Sequence, residues 1–227
     1  MNKYEWLLFD VDNTLLDFSK ASKQSLFKSF EDYGMVCTEE IYKKYKVENT
    51  KVWIAFENKE IDTDTLKRIR FKGFFDLMGI TIDPFEFNTV YVDNLVAVSE
   101  VYPGAVELIK ILSQDYKISI ITNGLKEAQR PRLSHVGMID LFDSIVVSDE
   151  IGIAKPDVRF FDHTYSTIPN PPDKSKILVI GDNLMSDILG GQYFGVDTCW
   201  ISHQKKNTTV LKPTYTIESV FDLESIL

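Results

Sequence analysis

The apolar run Trp6-Leu7-Leu8-Phe9, which leads directly into Asp10-Val11-Asp12-Asn13-Thr14, is the feature that most constrains this chain. Large apolar residues in unbroken succession predict a strand buried on both faces, as in a parallel sheet covered by helices. In such sheets ligands bind beyond the carboxyl ends of the strands, which is where Asp10 and Asp12 would lie. Burying two acids side by side is costly unless a cation or a proton offsets them, and a divalent metal is the simplest offset. Asp, Asn and Thr also form ordinary turns after strands, so the motif alone leaves that alternative open.

The composition limits which partners the chain can have. Its 227 residues, 44% of them hydrophobic, are enough for one domain with an insertion. The formal net charge of -9 argues against a nucleic-acid polymer or an anionic membrane surface as the main partner, because both attract basic patches. A small anionic substrate stays compatible with this charge if a metal and a few basic residues surround it. The two distant cysteines, Cys37 and Cys199, and the lack of a signal peptide or membrane-spanning run predict a cytoplasmic protein.

Strand and helix patterns alternate along most of the chain, with a long helical stretch near its start. From Phe18 to Ser99 apolar residues recur at helical spacing, and capping residues predict four helices, beginning near Ser19, Thr38, Thr63 and Asp83-Pro84. Further apolar runs predict strands near residues 118–121, 144–147, 177–180, 198–201 and after 214. The expected fold class is therefore α/β, with a Rossmann-like parallel sheet core flanked by helices. We expect residues 1–16 and 100–227 to form this core and residues 17–99 to form an inserted α-helical domain.

Polar groups follow several of these strands at the point where each strand ends. They are Asp10-x-Asp12, Thr122-Asn123 and Gly181-Asp182, with Lys155 entering nearby in Lys-Pro-Asp. Because strands joined by right-handed crossovers run parallel, their carboxyl ends share one edge of the sheet. Acids, a hydroxyl and an ammonium would therefore meet in one crevice. This set suits phosphoryl transfer, in which a carboxylate attacks phosphorus, a metal and a lysine neutralise the phosphoryl oxygens, and a second acid handles the leaving-group proton.

In the identity and order of four motifs the chain resembles the haloacid dehalogenase-like (HAD) superfamily. The motifs are Asp10-Val11-Asp12-Asn13-Thr14, Thr122 in Ile-Thr-Asn-Gly, Lys155 in Lys-Pro-Asp, and Gly181-Asp182-Asn183-Leu184-Met185-Ser186-Asp187. The resemblance covers the whole chain, because the insertion of residues 17–99 is similar to the superfamily's type 1 helical cap. It implies a hydrolase core in residues 1–16 and 100–227.

The resemblance also implies the chemistry of the acids. Asp10 would be the nucleophile that becomes an aspartyl phosphate. Asp12 would protonate the leaving oxygen and then activate water. Mg²⁺, for which Mn²⁺ could substitute, would be held by the Asp10 carboxylate, the Asp12 main-chain carbonyl and the Asp182 carboxylate, which are hard oxygen ligands of the kind that magnesium prefers.

The remaining motif residues receive supporting roles from the same resemblance. Lys155 would be both catalytic and substrate-binding, since it would steady the nucleophile and the transferred group. Thr122 and Asn123 would bind phosphate oxygens, helped by main-chain N–H groups at the start of the next helix. Asp187 would stand behind the metal ligands and orient a metal water or Lys155.

Residues 52–58, 120–124, 152–156 and 186–191 resemble more closely the cytoplasmic pyrimidine 5'-nucleotidases of the YjjG type. This resemblance implies a phosphoric monoester hydrolase whose partner is a small-molecule phosphate ester, namely a nucleoside 5'-monophosphate, with noncanonical pyrimidine nucleotides included. Dehalogenases of the superfamily lack an acid at the position of Asp12, so Asp12 indicates a phosphatase. One alternative is a HAD phosphatase for another small phosphometabolite, such as a sugar or sialic-acid phosphate. Another is a non-catalytic binding or regulatory module on the same fold.

Several other residues are interpreted as structural. Arg130 and Arg132 flank Pro131 soon after the Thr122 motif and could assist phosphate binding, but we expect both on a solvated helix face. Aromatic residues of the insertion could offer a nucleotide base a flat apolar surface, but aromatic residues at helical spacing usually pack inward. Most of the candidates are therefore expected in the core of the insertion: Trp53, Phe56, Phe71, Phe74 and Phe75.

Overall fold

A six-stranded sheet organises the protein, as seen in a computed structural model that describes residues 3–227. Its strands are β1 (Trp6–Phe9), β2 (Lys117–Thr122), β3 (Ser144–Val147), β4 (Ile177–Gly181), β5 (Asp197–Ile201) and β6 (Tyr215–Ile217). The order across the sheet is β3-β2-β1-β4-β5-β6, and every neighbouring pair is parallel. In this register Phe9 lies between Ile120 and Ile180, so the ends of β1, β2 and β4 lie side by side. The predicted α/β fold with a parallel sheet is confirmed.

The central strand β1 is buried on both faces, as its apolar run predicts. Leu7 and Phe9 pack into one apolar cluster and Trp6 and Leu8 into another, because successive residues of a strand point to opposite faces. Burying each of these side chains is worth about 1.5–3 kcal/mol. The Asp10 N–H donates to the Ile180 carbonyl at 2.9 Å, which extends the ladder one residue beyond the strand. The strand that carries Asp10 is therefore firmly anchored.

Helices cover the sheet and build the insertion. In chain order they are α1 (Phe18–Asp32), α2 (Glu39–Glu57), α3 (Thr63–Ile69), α4 (Lys72–Met78), α5 (Pro84–Ala97), α6 (Ala105–Leu112), α7 (Lys126–His135), α8 (Ser148–Ile151), α9 (Val158–Thr167) and α10 (Leu189–Phe194). Short 3₁₀ turns occupy residues 139–141, 174–176 and 220–225, and a π-helical turn occupies residues 184–188. None of the helices in residues 3–227 combines the length and the apolar character that a membrane span requires.

Contacts between residues divide the chain into two compact units. The first runs up to Asp17 and resumes at Glu100–Leu227, and the second is Phe18–Ser99. The second unit contains α1 to α5, one helix more than the four that the sequence predicts. The expected third helix is divided, because α3 ends at Ile69 and α4 begins at Lys72.

The break between α3 and α4 has a physical reason in the side chains at the junction. Arg70 turns inward, where Nε donates to Asn49 Oδ1 at 2.8 Å and Nη2 donates to the Tyr45 hydroxyl at 3.2 Å. The Phe71 ring stacks on Tyr45 with centroids 5.2 Å apart. One continuous helix would point these two successive side chains in directions about 100° apart, so the break lets both reach Tyr45.

The aromatic side chains of the second unit are mostly its core. Phe71, Phe74 and Phe75 are buried, as expected from their helical spacing. Trp53 and Phe56 are half-buried, and their rings meet edge to face with centroids 5.9 Å apart. These two are therefore the candidates from the original five that keep an accessible aromatic surface.

Candidate active site

Lys155 is the centre of the polar cluster at the carboxyl edge of the sheet. The loop between α8 and α9 brings its ammonium to the ends of β1 and β2, where it is almost wholly buried. Nζ donates to Asp10 Oδ1 at 2.8 Å, to Asp187 Oδ1 at 2.6 Å and to the Ile121 main-chain oxygen at 2.8 Å. An ammonium has three hydrogens, and these acceptors use all of them. A direct bond from Lys155 to a substrate would therefore replace one of the three.

Asp10, Asp182 and Asp187 gather their carboxylates around one point. Each offers an oxygen, and these oxygens all lie within 4.8 Å of one another. With every acid ionised, the one buried ammonium of Lys155 leaves two negative charges unbalanced. Lys205 lies 3.7 Å from Asp182 but its side chain is 62% exposed, so it compensates weakly. A divalent cation would supply the missing charge, and carboxylate oxygens are ligands that Mg²⁺ prefers.

Burial and charge crowding shift the pKa values in this cluster. Burial raises the pKa of Asp10 well above its usual range; the Lys155 charge opposes this rise, and the charges of Asp187 and Asp182 add to it. Burial, and then the Asp187 charge, raise the pKa of Asp182 to about 7. Burial alone would lower the pKa of Lys155, but the charges of Asp10 and Asp187 outweigh it and raise that pKa. A cation beside the oxygens would favour the ionised carboxylates and lower both carboxyl pKa values.

The turn after β4 is shaped so that Asp187 can reach Lys155. Asn183 caps the π-helical turn, with Oδ1 accepting from the Met185 N–H at 2.8 Å. The Asn183 N–H in turn donates to Asp187 Oδ2 at 3.1 Å, so both Asp187 oxygens accept hydrogen bonds. A side chain on Gly181 would overlap the Asp187 carboxylate, which explains the glycine at the end of β4.

Thr122 and Asn123 end β2 at the same edge, with different surroundings. The buried Thr122 Oγ1 accepts from the Gly124 N–H at 3.1 Å and from Gln129 Nε2 at 2.6 Å. With both acceptor positions used, its own hydrogen is available to a further acceptor. The Asn123 side chain pairs with the main chain of Lys155 in both directions, at 2.9 and 2.8 Å. It therefore braces the Lys155 loop, and one amide hydrogen is left for a substrate.

Asp12 is held by two residues that the sequence motifs do not contain. Arg132 Nη1 donates to Asp12 Oδ1 at 2.7 Å, and Gln129 Nε2 donates to Asp12 Oδ2 at 2.9 Å. The expectation of a solvated Arg132 is wrong, because its side chain is 1% exposed. Gln129 and Arg132 lie three residues apart on α7 and so face the same side, whereas Arg130 points outward and pairs with Glu150. That spacing, directly after Thr122, was the available signal.

Comparison with known proteins identifies the family. The family model described as haloacid dehalogenase-like hydrolase matches residues 7–201, which include every residue of this cluster. The chain belongs to the HAD hydrolases. The recognition of the four motifs is thereby confirmed, and this HAD chain is an enzyme of the hydrolase class.

Individual relatives and a solved structure show which HAD hydrolases this chain is similar to. It is 34% identical to the pyrimidine 5'-nucleotidase YjjG of Escherichia coli (strain K12), over 99% of this chain and 98% of that protein. It is also 34% identical to the pyrimidine 5'-nucleotidase PynA of Streptococcus pneumoniae (strain ATCC BAA-255 / R6), over 97% and 93% of the two chains. Its fold matches magnesium-bound YfnB from Bacillus subtilis, described as a HAD-hydrolase, with a TM-score of 0.93 and 34% identity over 100% and 99% of the chains. These relatives support a phosphatase rather than a dehalogenase.

Proposed function

We propose that this HAD hydrolase is a cytoplasmic, Mg²⁺-dependent phosphatase that hydrolyses pyrimidine nucleoside 5'-monophosphates, noncanonical ones included, through an aspartyl phosphate. The observation that carries this proposal is the buried cluster in which Lys155 binds Asp10 and Asp187 while Asp182 lies within reach of the same point. The two nucleotidases that are 34% identical over nearly the whole chain support the choice of substrate class.

In the first step Asp10 attacks phosphorus. Lys155 holds Oδ1 at 2.8 Å, whereas Oδ2 receives a long hydrogen bond of 3.4 Å from Thr14, so Oδ2 is the oxygen better placed to react. A bond forms between this oxygen and phosphorus, and the phosphorus–ester oxygen bond breaks with its electron pair moving to the ester oxygen. Asp12 gives that oxygen a proton, which releases the nucleoside as a neutral alcohol.

In the second step water regenerates the enzyme. Asp12, now a carboxylate, takes a proton from the water that attacks phosphorus. The bond between phosphorus and the Asp10 oxygen breaks, which frees inorganic phosphate and restores the carboxylate. The Thr122 hydroxyl donates to a phosphoryl oxygen in both steps, because its acceptor positions are already used by Gly124 and Gln129.

The donor set fits a hard divalent ion. The Asp10 and Asp182 carboxylates and the Asp12 main-chain carbonyl would hold Mg²⁺, or Mn²⁺ in its place, with Asp187 orienting the group from behind. When bound, the ion supplies positive charge that neutralises the phosphoryl oxygens. Lys155 contributes a second positive charge, buried against the Asp10 and Asp187 carboxylates.

The helical unit of residues 18–99 is proposed to be the type 1 cap that selects among phosphate esters. Phosphate recognition by the core is common to all phosphate monoesters, so a preference for nucleotides requires residues elsewhere. Trp53 and Phe56 keep accessible aromatic surface, and a nucleotide base stacks well on such rings. Substitution of these two residues tests whether the helical unit contributes to base recognition.

A panel of phosphate esters at fixed Mg²⁺ tests the proposal. Pyrimidine nucleoside 5'-monophosphates should give the highest kcat/KM, followed by purine nucleotides and then sugar phosphates. Preference for a sugar or sialic-acid phosphate over every nucleotide would refute the proposed substrate class but not the proposed reaction. Failure to hydrolyse even p-nitrophenyl phosphate, with Mg²⁺ present and the fold intact, would favour a binding or regulatory module instead.

A further inference from the structure

We infer that Gln129 and Arg132 of α7 are positioning residues, which hold the Asp12 carboxylate in the orientation that proton transfer to the leaving group requires. This assignment rests on the proposed function, because it takes Asp12 as the acid. Both residues lie outside the four motifs, and both reach Asp12 from a helix that follows the Thr122 strand by four residues.

Three side chains form a closed set of hydrogen bonds around Asp12. Arg132 Nη1 donates to Asp12 Oδ1 at 2.7 Å and to Gln129 Oε1 at 2.7 Å. Gln129 Nε2 donates to Asp12 Oδ2 at 2.9 Å. Each carboxylate oxygen thus has its own donor, which fixes the plane of the carboxylate. Since a carboxyl group offers about four lone-pair sites, a site remains to carry the proton that passes to the leaving oxygen.

Burial shows that this arrangement is built into the core. The Gln129 residue is 0% exposed and the Arg132 side chain 1%, whereas the Asp12 side chain is 26% exposed. Burying an amide and a guanidinium costs free energy unless their hydrogen bonds are made, and apolar residues would pack in a helix at lower cost. The rigid, buried partners therefore hold a carboxylate that is itself accessible.

Gly124 supplies independent evidence that the path of Gln129 matters. A Cβ at Gly124 would lie 2.5 Å from Gln129 Cδ and 2.6 Å from Gln129 Cγ, distances at which atoms overlap. The missing side chain at Gly124 is what lets Gln129 pass from α7 to the strand end. There Nε2 also donates to Thr122 Oγ1 at 2.6 Å, so Gln129 orients the phosphate-binding hydroxyl together with the acid.

The leaving group distinguishes positioning of an acid from a structural role. The alcohol of a nucleoside 5'-monophosphate needs a proton as it departs, whereas p-nitrophenolate leaves without one. The ratio of kcat/KM for these two esters reports on the acid, because kcat/KM covers binding and ester cleavage but not the later attack by water. We expect Arg132→Met to lower this ratio roughly 10- to 100-fold relative to the parent chain.

Two further variants control this measurement. Arg132→Lys keeps a cation near Asp12 but loses the guanidinium geometry, so its ratio should lie about threefold or more above that of Arg132→Met. Arg130 lies two residues before Arg132, points outward and pairs with Glu150. Arg130→Met should therefore leave the ratio unchanged. Equal losses for both esters in Arg132→Met would overturn the inference. A parent chain that hydrolyses neither ester would overturn the proposed function itself.

The contact between Gly124 and Gln129 gives a second test, which can be carried out even if Arg132→Met folds poorly. Gly124→Ala should lower kcat/KM for the nucleotide about tenfold or more, because the new methyl group displaces Gln129 from Asp12 and Thr122. In a Gln129→Ala background the same substitution should cost less than about twofold, since the side chain that it strikes is gone. Equal effects of Gly124→Ala in the two backgrounds would contradict the role of Gln129.

Discussion

Lys155 Nζ donates to Asp10 Oδ1 at 2.8 Å, although 145 residues separate the two in the chain, and both side chains are buried. The same ammonium holds Asp187 at 2.6 Å. Lys155 therefore fixes one oxygen of the proposed nucleophile and balances part of the charge of the acids around it. The electrostatics of the site depend on this residue more than on any exposed lysine.

Replacing Lys155 should damage both stability and turnover. Lys155→Met leaves two buried acids without their cation, and breaking a buried ion pair typically costs about 3–5 kcal/mol. We expect a loss near 3 kcal/mol in the free energy of unfolding, measured by urea titration, and a roughly 10²- to 10³-fold loss of kcat. The matched variant Lys205→Met, at an exposed lysine 3.7 Å from Asp182, should cost less than about 1 kcal/mol. Similar losses from the two variants would refute a central role for Lys155.

Removal of the metal should stop turnover, and the loss should trace to Asp182. Excess chelator should abolish hydrolysis, and added Mg²⁺ should restore it. Mg²⁺ should also raise the melting temperature of the parent chain, because an ion that binds the folded state stabilises it. Asp182→Asn should lose most of this thermal shift, whereas Asp115→Asn, at an exposed aspartate ahead of β2, should retain it. An undiminished shift in Asp182→Asn would exclude Asp182 as a ligand.

The raised pKa of Asp182, about 7, predicts how stability depends on pH in the presence of chelator. An unfolded aspartate titrates near 3.9, so between roughly pH 4 and 7 the folded chain binds more protons at this site than the unfolded chain. The contribution of Asp182 to stability is therefore fully present below the unfolded pKa, near 3.9, and is lost as pH rises through the folded pKa of about 7. The free energy of unfolding should fall more steeply from pH 5 to pH 8 in the parent chain than in Asp182→Asn. Identical slopes would contradict the shift.

The accessible aromatic pair of the helical unit should affect substrate choice. Trp53→Ala should raise KM for a pyrimidine nucleotide about tenfold, because base stacking on an aromatic ring is worth about 1–3 kcal/mol. KM for p-nitrophenyl phosphate, which has no nucleobase, should change much less. Tyr193→Ala, at an exposed tyrosine of the other unit, serves as the control and should alter neither value. An equal rise of KM for both esters would argue against base recognition by Trp53.

The sequence predicts most of the core because its signals are local. The apolar run before Asp10 determines a strand buried on both faces, and each further apolar run determines its own strand. The parallel arrangement then follows from alternation of strands with helices, which brings Asp10, Thr122 and Asp182 to one edge. The break of the third predicted helix at Arg70 escapes such reasoning, because it depends on tertiary contacts with Tyr45 and Asn49.

The sequence predicts the site residues that belong to recognisable motifs, but it does not predict Gln129 and Arg132, which contact the site from helix α7. Arg132 follows a proline in a polar segment, and its neighbour Arg130 does lie on an exposed face, so composition suggests solvent for both. What decides the outcome is the rotation of α7, which turns Arg132 and Gln129 toward Asp12. A carboxylate partner that lies 120 residues away in the chain cannot be seen in the local pattern.

The most direct test of the central claim is rapid-quench analysis of Asp12→Asn with p-nitrophenyl phosphate and Mg²⁺. The phenolate leaves without a proton, whereas attack by water on the phosphoenzyme is slowed by loss of the base. We predict a burst of about one p-nitrophenolate per chain, and borohydride reduction should convert residue 10, and no other residue, to homoserine. Steady turnover without a burst, or an acyl phosphate on any residue other than Asp10, would contradict the account.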